Sequence, residues 1–134
     1  MTTKRMLAAF AAASLIALAS SASAGDIYVI AHSGTQVTAA DVREIYLGEK
    51  TFTGAIKLVP VDNAAAQDEF LAKVMKMESG KYTASWTKKT FRDGVSPPPL
   101  KGGDAETIQF VKSTAGAVGY VTTSPAGVTV VGKF

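Results

Sequence analysis

Asp26-Ile27-Tyr28-Val29-Ile30-Ala31 runs into His32-Ser33-Gly34-Thr35-Gln36 and then Thr38-Ala39-Ala40-Asp41-Val42-Arg43-Glu44-Ile45-Tyr46-Leu47-Gly48. The first piece is a short, nearly continuous apolar run, the pattern of a strand buried on both faces. The second is a polar, glycine-containing loop. The third opens with Thr38 as N-cap and Asp41 three positions on, repeats apolar residues at Val42, Ile45 and Tyr46, and stops at Gly48, which reads as a helix. Strand, loop and helix in direct succession is the opening of an α/β domain, and the rest of the chain repeats that grammar.

Downstream, Lys50 to Gly54 is a turn and Ala55 to Val61 a second strand, with Pro60 confined to its end or to an edge because it lacks a backbone donor. Asp62-Asn63 read as caps of a helix carrying Phe70, Leu71, Val74 and Met75 on one stripe. Ser79-Gly80 breaks it, and Lys81 to Phe91 forms a further helix. Arg92 to Gly103, with Pro97-Pro98-Pro99 and Gly102-Gly103, cannot be a helix interior. Asp104 starts another helix, with Ile108 and Val111 inward. Ala117 to Val121 is a third strand, Ser124 to Gly127 a turn, and Val128 to Val131 a fourth strand. The expected fold class is α/β: a single three-layer lobe with a mostly parallel or mixed sheet of about four to five strands.

Upstream, Lys4-Arg5, the apolar stretch Met6 to Ala19 and the Ala22-Ser23-Ala24 box have the three parts of a secretory signal peptide. Residues 1–24 are thus expected to be a transient leader, the chain's one contact with a membrane, and residues 25–134 a single periplasmic or secreted domain. Without Lys4 and Arg5 the 14 Lys+Arg of the sequence become 12 against 11 Asp+Glu, a net charge of +1. That balance disfavours a nucleic-acid partner. The chain has no cysteine and one histidine. These counts exclude disulfides and thiolate chemistry, leave no His-rich metal centre, and imply no cofactor. No P-loop, GxSxG or nucleophile–base pair is present, so an enzyme is not expected.

In open α/β sheets, ligands bind beyond the carboxyl ends of strands, where helix N-termini offer free amides to anions. Two loops qualify: His32, Ser33, Gly34 and Thr35 after the first strand, and Asp62, Asn63 and Ala64 after the second. The plainer alternative is that Thr38, Asp62 and Asn63 are caps and Ser33-Gly34 a turn. Lys88, Lys89, Arg92 and Lys101 form a basic surface near the irregular loop. They are either a solvated face or a region that draws in an anion or an acidic partner.

Asp41-Val42-Arg43-Glu44-Ile45-Tyr46-Leu47-Gly48-Glu49-Lys50, then Leu58-Val59-Pro60-Val61-Asp62, and some 65 residues after the first motif Ala115-Gly116-Ala117-Val118-Gly119-Tyr120-Val121, resemble the small exported domains of phosphate ABC transporter substrate-binding proteins. The resemblance covers about Ile27 to Val131. It implies a single-lobe type 2 periplasmic-binding-protein fold, extracytoplasmic solute binding with phosphate or a similar small inorganic anion as ligand, and an ABC permease as partner. It also implies a Asp-Gly-Ser-Gly-Thr loop after the second strand, which falls here on Asp62-Asn63-Ala64-Ala65-Ala66. Only the aspartate matches, and the arginine before that loop falls on Pro60. Lost hydroxyls and a lost guanidinium remove donors contributing about 1.5–3 kcal/mol each. Two readings therefore compete: an anion receptor, and an exported interaction module that keeps the fold without tight ligand binding. A homodimer of two half-receptors is a variant of the second.

Overall fold

A computed structural model describes residues 25–134. The signal-peptide reading of 1–24 lies outside the described residues. The strands are β1 (Tyr28–Ala31), β2 (Phe52–Thr53), β3 (Ile56–Lys57), β4 (Val59–Pro60), β5 (Asp62–Asn63), β6 (Leu100–Lys101), β7 (Ala117–Val121) and β8 (Thr129–Lys133). The helices are α1 (Val42–Tyr46), α2 (Gln67–Phe70), α3 (Ser79–Asp93) and α4 (Asp104–Ser113). A 3-10 turn, Ala39–Asp41, precedes α1, and a π-helical turn, Leu71–Met75, continues α2. No helix among the described residues is long and apolar enough to cross a membrane.

The main sheet has the order β4-β7-β1-β8 and is mixed. β1 pairs antiparallel with both β7 and β8, and only β4 runs parallel to β7. A buried apolar strand looks the same in either orientation, so the run Ile27 to Ala31 could not reveal the reversal. Two small pairs accompany the sheet, an antiparallel β2-β3 and a parallel β5-β6.

The pleat of β1 and β7 sorts the core into two. Val29, Val118 and Tyr120 face Val42, Ile45, Phe70, Leu71, Met75 and Trp86 of the α1–α3 side. Ile30, Ala117 and Val121 face Val111 of α4. The expected three layers are thus helices, sheet and helix. Gly119 lies on the α4 side, where a Cβ would come within 2.7 Å of Thr107 and 3.1 Å of Val111, so a glycine is needed for that helix to seat.

Several sequence expectations are corrected. The strand expected over Ala55 to Val61 is two short pieces, because Ile56–Lys57 folds back on Phe52–Thr53 and Leu58 N–H donates to Thr51 rather than to the main sheet. Pro60 does lie on the sheet's edge strand. Its neighbours Val59 and Val61 donate inward to Gly116 and Val118, while the proline's donorless nitrogen falls on the outer side. Ser79-Gly80 does not break a helix but begins α3, since a first turn tolerates glycine. Gly94, in the left-handed region at φ 71, ends that helix. The irregular stretch after Arg92 contains β6.

Candidate functional site

Asp62 and Asn63 do not cap a helix. They form β5, where Asp62 N–H donates to Pro99 O (2.8 Å) and Ala64 N–H to Lys101 O (2.9 Å); the residue before α2 is Ala66. Both side chains are buried because each has a better task inside the fold. The Asp62 carboxylate accepts from Tyr120 OH at 2.6 Å and Tyr82 OH at 2.8 Å, tying β5 to β7 and to α3. Asn63 donates to Tyr120 O (2.9 Å) and to Asp104 Oδ1 (2.7 Å), and its own Oδ1 accepts from Ala65 N–H (3.0 Å). Ala66 N–H donates to Asn63 O. The amides of Asp62, Ala64, Ala65 and Ala66 are therefore already bonded within the protein.

Burial pushes the Asp62 carboxyl above its ordinary value; the hydroxyls of Tyr120 and Tyr82 and the Gln67 side chain pull the other way without cancelling it. Burial first, and the nearby carboxylate second, push Tyr82 and Tyr120 far above the usual phenol range, so both remain donors. Tyr46 completes the cluster, donating to Val61 O (2.7 Å) and Val118 O (3.2 Å). Tyr82 and Trp86 are buried on α3, and Tyr46, Tyr82 and Tyr120, from three elements, cluster near Asp62, which the sequence did not reveal. The signal available was tyrosine, a residue with an apolar body and a polar tip, at apolar positions of α1, α3 and β7.

A sign follows for stability. A carboxyl whose value is raised by folding holds its proton more tightly in the folded chain. Its contribution is largest at low pH and is lost as pH rises from the ordinary carboxylate value through the raised one. We expect the stability of the wild type relative to Asp62→Asn to fall over that window in urea titrations. A relative stability that rises with pH instead would mean that the two phenols stabilise the anion more than burial penalises it.

The two loops singled out in the sequence do not meet. β1 runs opposite to β7, and β4 runs with it, so the chain leaves β1 and β4 at opposite ends of the sheet. His32 N–H donates to Ala117 O, whereas Asn63 reaches Tyr120 O, roughly 10 Å further along β7. The first loop is closed on itself: Gly34 N–H donates to His32 Nδ1 (3.3 Å) and Thr35 N–H to His32 O (2.8 Å). Thr35 is buried and its hydroxyl accepts from Gly116 N–H (3.0 Å), which locks the loop to the start of β7. Ser33 and Gly34 are exposed.

Of the basic residues, Lys88, Lys89 and Arg92 line one depression on α3 together with Lys81, and Lys101 lies apart from them. Arg92 grips Asp93 with Nε and a terminal nitrogen (3.1 and 2.9 Å), and Lys89 Nζ is 3.7 Å from the same carboxylate. Lys88 is exposed on α3. Lys101 instead lies over the Phe110 ring, 4.5 Å from its centroid.

Two of the depressions along α3 border the proline run. A cleft of about 350 Å³ opens over Asp62 and Gln67 and is walled by Tyr82, Trp86, Phe91 and Pro98. At its mouth Phe91 is 88% exposed and Leu100 59%. A groove of about 620 Å³ shares Trp86, Pro97 and Pro98 with it and continues past Leu58 and Pro60.

Comparison with solved structures gives the fold a setting. The chain is similar to a protein described as a phosphate ABC transporter substrate-binding protein with bound phosphate from Clostridium perfringens: TM-score 0.60, 16% identity, over 81% of this chain and 45% of that one. It is also similar to an ABC-type phosphate transport receptor from Vibrio cholerae, with TM-score 0.58, 14% identity and coverage of 81% and 46%. The likeness is one of fold, and the chain spans less than half the length of each. No family model matches the chain, and no curated protein matches it either.

Proposed function

We propose that this chain is an extracytoplasmic solute-binding-like protein, not an enzyme, with weak affinity at the Asp62 loop for phosphate or a similar small anion. The fold shared with two phosphate-transport proteins supports the class of protein. The bonding of the loop supports the weakness. An anion leaving water needs charge-assisted donors, and the amides of Asp62 and Ala64 to Ala66 are engaged in β-pairing and in the Asn63 turn. Where a relative's loop would offer hydroxyls, Ala64 and Ala66 offer methyl groups. An ionised Asp62 would add repulsion. Export by a cleaved leader over residues 1–24 and service to an ABC permease belong to the same proposal.

Titration calorimetry of residues 25–134 with phosphate and with sulfate tests it. We expect a Kd no tighter than about 1 mM, corresponding to about −4 kcal/mol. A micromolar Kd for either anion overturns the weak-site proposal and restores a receptor of ordinary affinity.

A second reading, an exported interaction module, is favoured by a specific observation: the cleft mouth carries the exposed rings and chains of Phe91 and Leu100, which an inorganic anion would not use. A second copy placed mouth to mouth would cover them and give the cleft the wall it lacks. Light scattering of the same sample separates monomer from homodimer.

A further inference from the structure

The groove beside the Asp62 cleft has a different chemistry from it. Three lysines, Lys50, Lys57 and Lys89, line it, and no carboxylate does. Lys50 Nζ is 3.7 Å from Asp41 and Lys89 Nζ 3.7 Å from Asp93, both long ion pairs, while Lys57 makes no ion pair among the described residues. The rest of the surface is largely apolar: the Trp86 edge, Pro97 to Pro99, Leu58 and Pro60.

The walls are built in advance. The proline run has restricted backbone freedom. It is anchored at one end by Asp62 N–H on Pro99 O, and the segment before it is held by the Thr90 hydroxyl on Val95 O (2.8 Å). Trp86 is fixed by its indole N–H on Tyr46 O (2.9 Å). Gly48, at φ +75, lets the Lys89 stem and the Trp86 ring lie against the backbone: a Cβ there would sit 2.7 Å from Lys89 Cε and 2.8 Å from Trp86 Cη2. A volume of about 620 Å³ is in the range of small-molecule sites, roughly 300–1,000 Å³.

From this juxtaposition we infer that the groove between the proline run and the Gly48 to Pro60 segment binds small organic carboxylates with an apolar, ring-sized body. The body lies on the prolines and the Trp86 edge, and the carboxylate faces Lys57. An inorganic anion would leave the apolar walls unused, and a neutral apolar ligand would leave Lys57 without a partner. The inference rests on the solute-binding proposal and names a ligand class for it at a site other than the Asp62 loop.

Trp86 is the only tryptophan in the sequence and borders both the groove and the Asp62 cleft, so its fluorescence reports binding and the Lys57 variants assign it to the groove. Benzoate and 3-phenylpropionate are titrated against residues 25–134, with 3-phenylpropanol and phosphate as comparators. Expected are saturable changes with the two carboxylates at submillimolar to millimolar concentration, and weaker binding of the alcohol. Lys57→Gln should weaken the carboxylates roughly fivefold, the upper range for an exposed charge pair, at an unchanged melting temperature. Lys57→Glu should weaken them further. No saturable change up to about 10 mM, or equal binding of acid and alcohol that Lys57→Gln leaves untouched, overturns the inference. Phosphate binding at the Asp62 loop would not respond to the Lys57 variants, so failure at the groove and failure of the weak-anion proposal are read separately.

Discussion

Gly116→Ala is expected to lose about 2–5 kcal/mol of stability. Gly116 enters β7 with φ +84, a conformation that costs a residue with a Cβ about 1–2 kcal/mol. The added carbon would also lie 2.0 Å from the Lys57 carbonyl oxygen, a backbone atom that cannot swing away. Relief of such a clash moves β3 or β7, and overpacking of this kind costs about 1–3 kcal/mol or more. The residue is a junction as well: its N–H donates to Thr35 and its carbonyl accepts from Val59. Against a total stability of about 5–15 kcal/mol, the loss is large. Urea unfolding followed by circular dichroism measures it. Gly54→Ala is the control, since Gly54 has φ +60 but open space around it, and only the conformational cost of about 1–2 kcal/mol should appear. A Gly116→Ala protein as stable as that control would mean that the entry to β7 is not held as described.

Phe70→Ala is expected to cost about 3–5 kcal/mol. Phe70 is fully buried, stacked on Tyr120 with centroids 3.8 Å apart and planes 2° from parallel, and meets Tyr46 edge-on at 4.8 Å. Removing the ring leaves a cavity between α2 and the sheet. It also frees the Tyr120 ring, whose hydroxyl holds Asp62. Differential scanning calorimetry should record a fall in Tm of about 12–20 °C, and Phe70→Leu, which fills most of the volume, a much smaller one. A drop of only a few degrees for Phe70→Ala would show that α2 collapses onto the sheet without its ring.

Much of this fold was legible in the sequence because its signals are local. The Thr38–Asp41 start is present, with Thr38 N–H donating to the Asp41 carboxylate at 3.1 Å. The apolar runs of β1 and β7 and the stripe Phe70, Leu71, Met75 are buried as their spacing required. What stayed hidden depends on partners far away in the chain. Strand direction is one case, since nothing in Tyr28 to Ala31 tells whether Val121 or Val118 will lie beside Tyr28. Asp62 is the other. Next to a helix it reads as a cap, and only the fold brings Tyr82 and Tyr120 to its oxygens and makes it an internal strut. The same fact explains why the two candidate loops could be paired on sequence grounds: a parallel sheet would have set them side by side, and the antiparallel placement of β1 sends them to opposite ends.

That placement has a consequence for how the protein is made. β1 is the first strand among the described residues and lies in the middle of the sheet, yet both of its neighbours, β7 and β8, lie within Ala117 to Lys133. Roughly 85 to 105 residues separate β1 from its partners, and closing loops of that size makes assembly of the central ladder slow. The middle of the sheet is therefore among the last parts of the fold to become ordered, after the local helices and hairpins have formed.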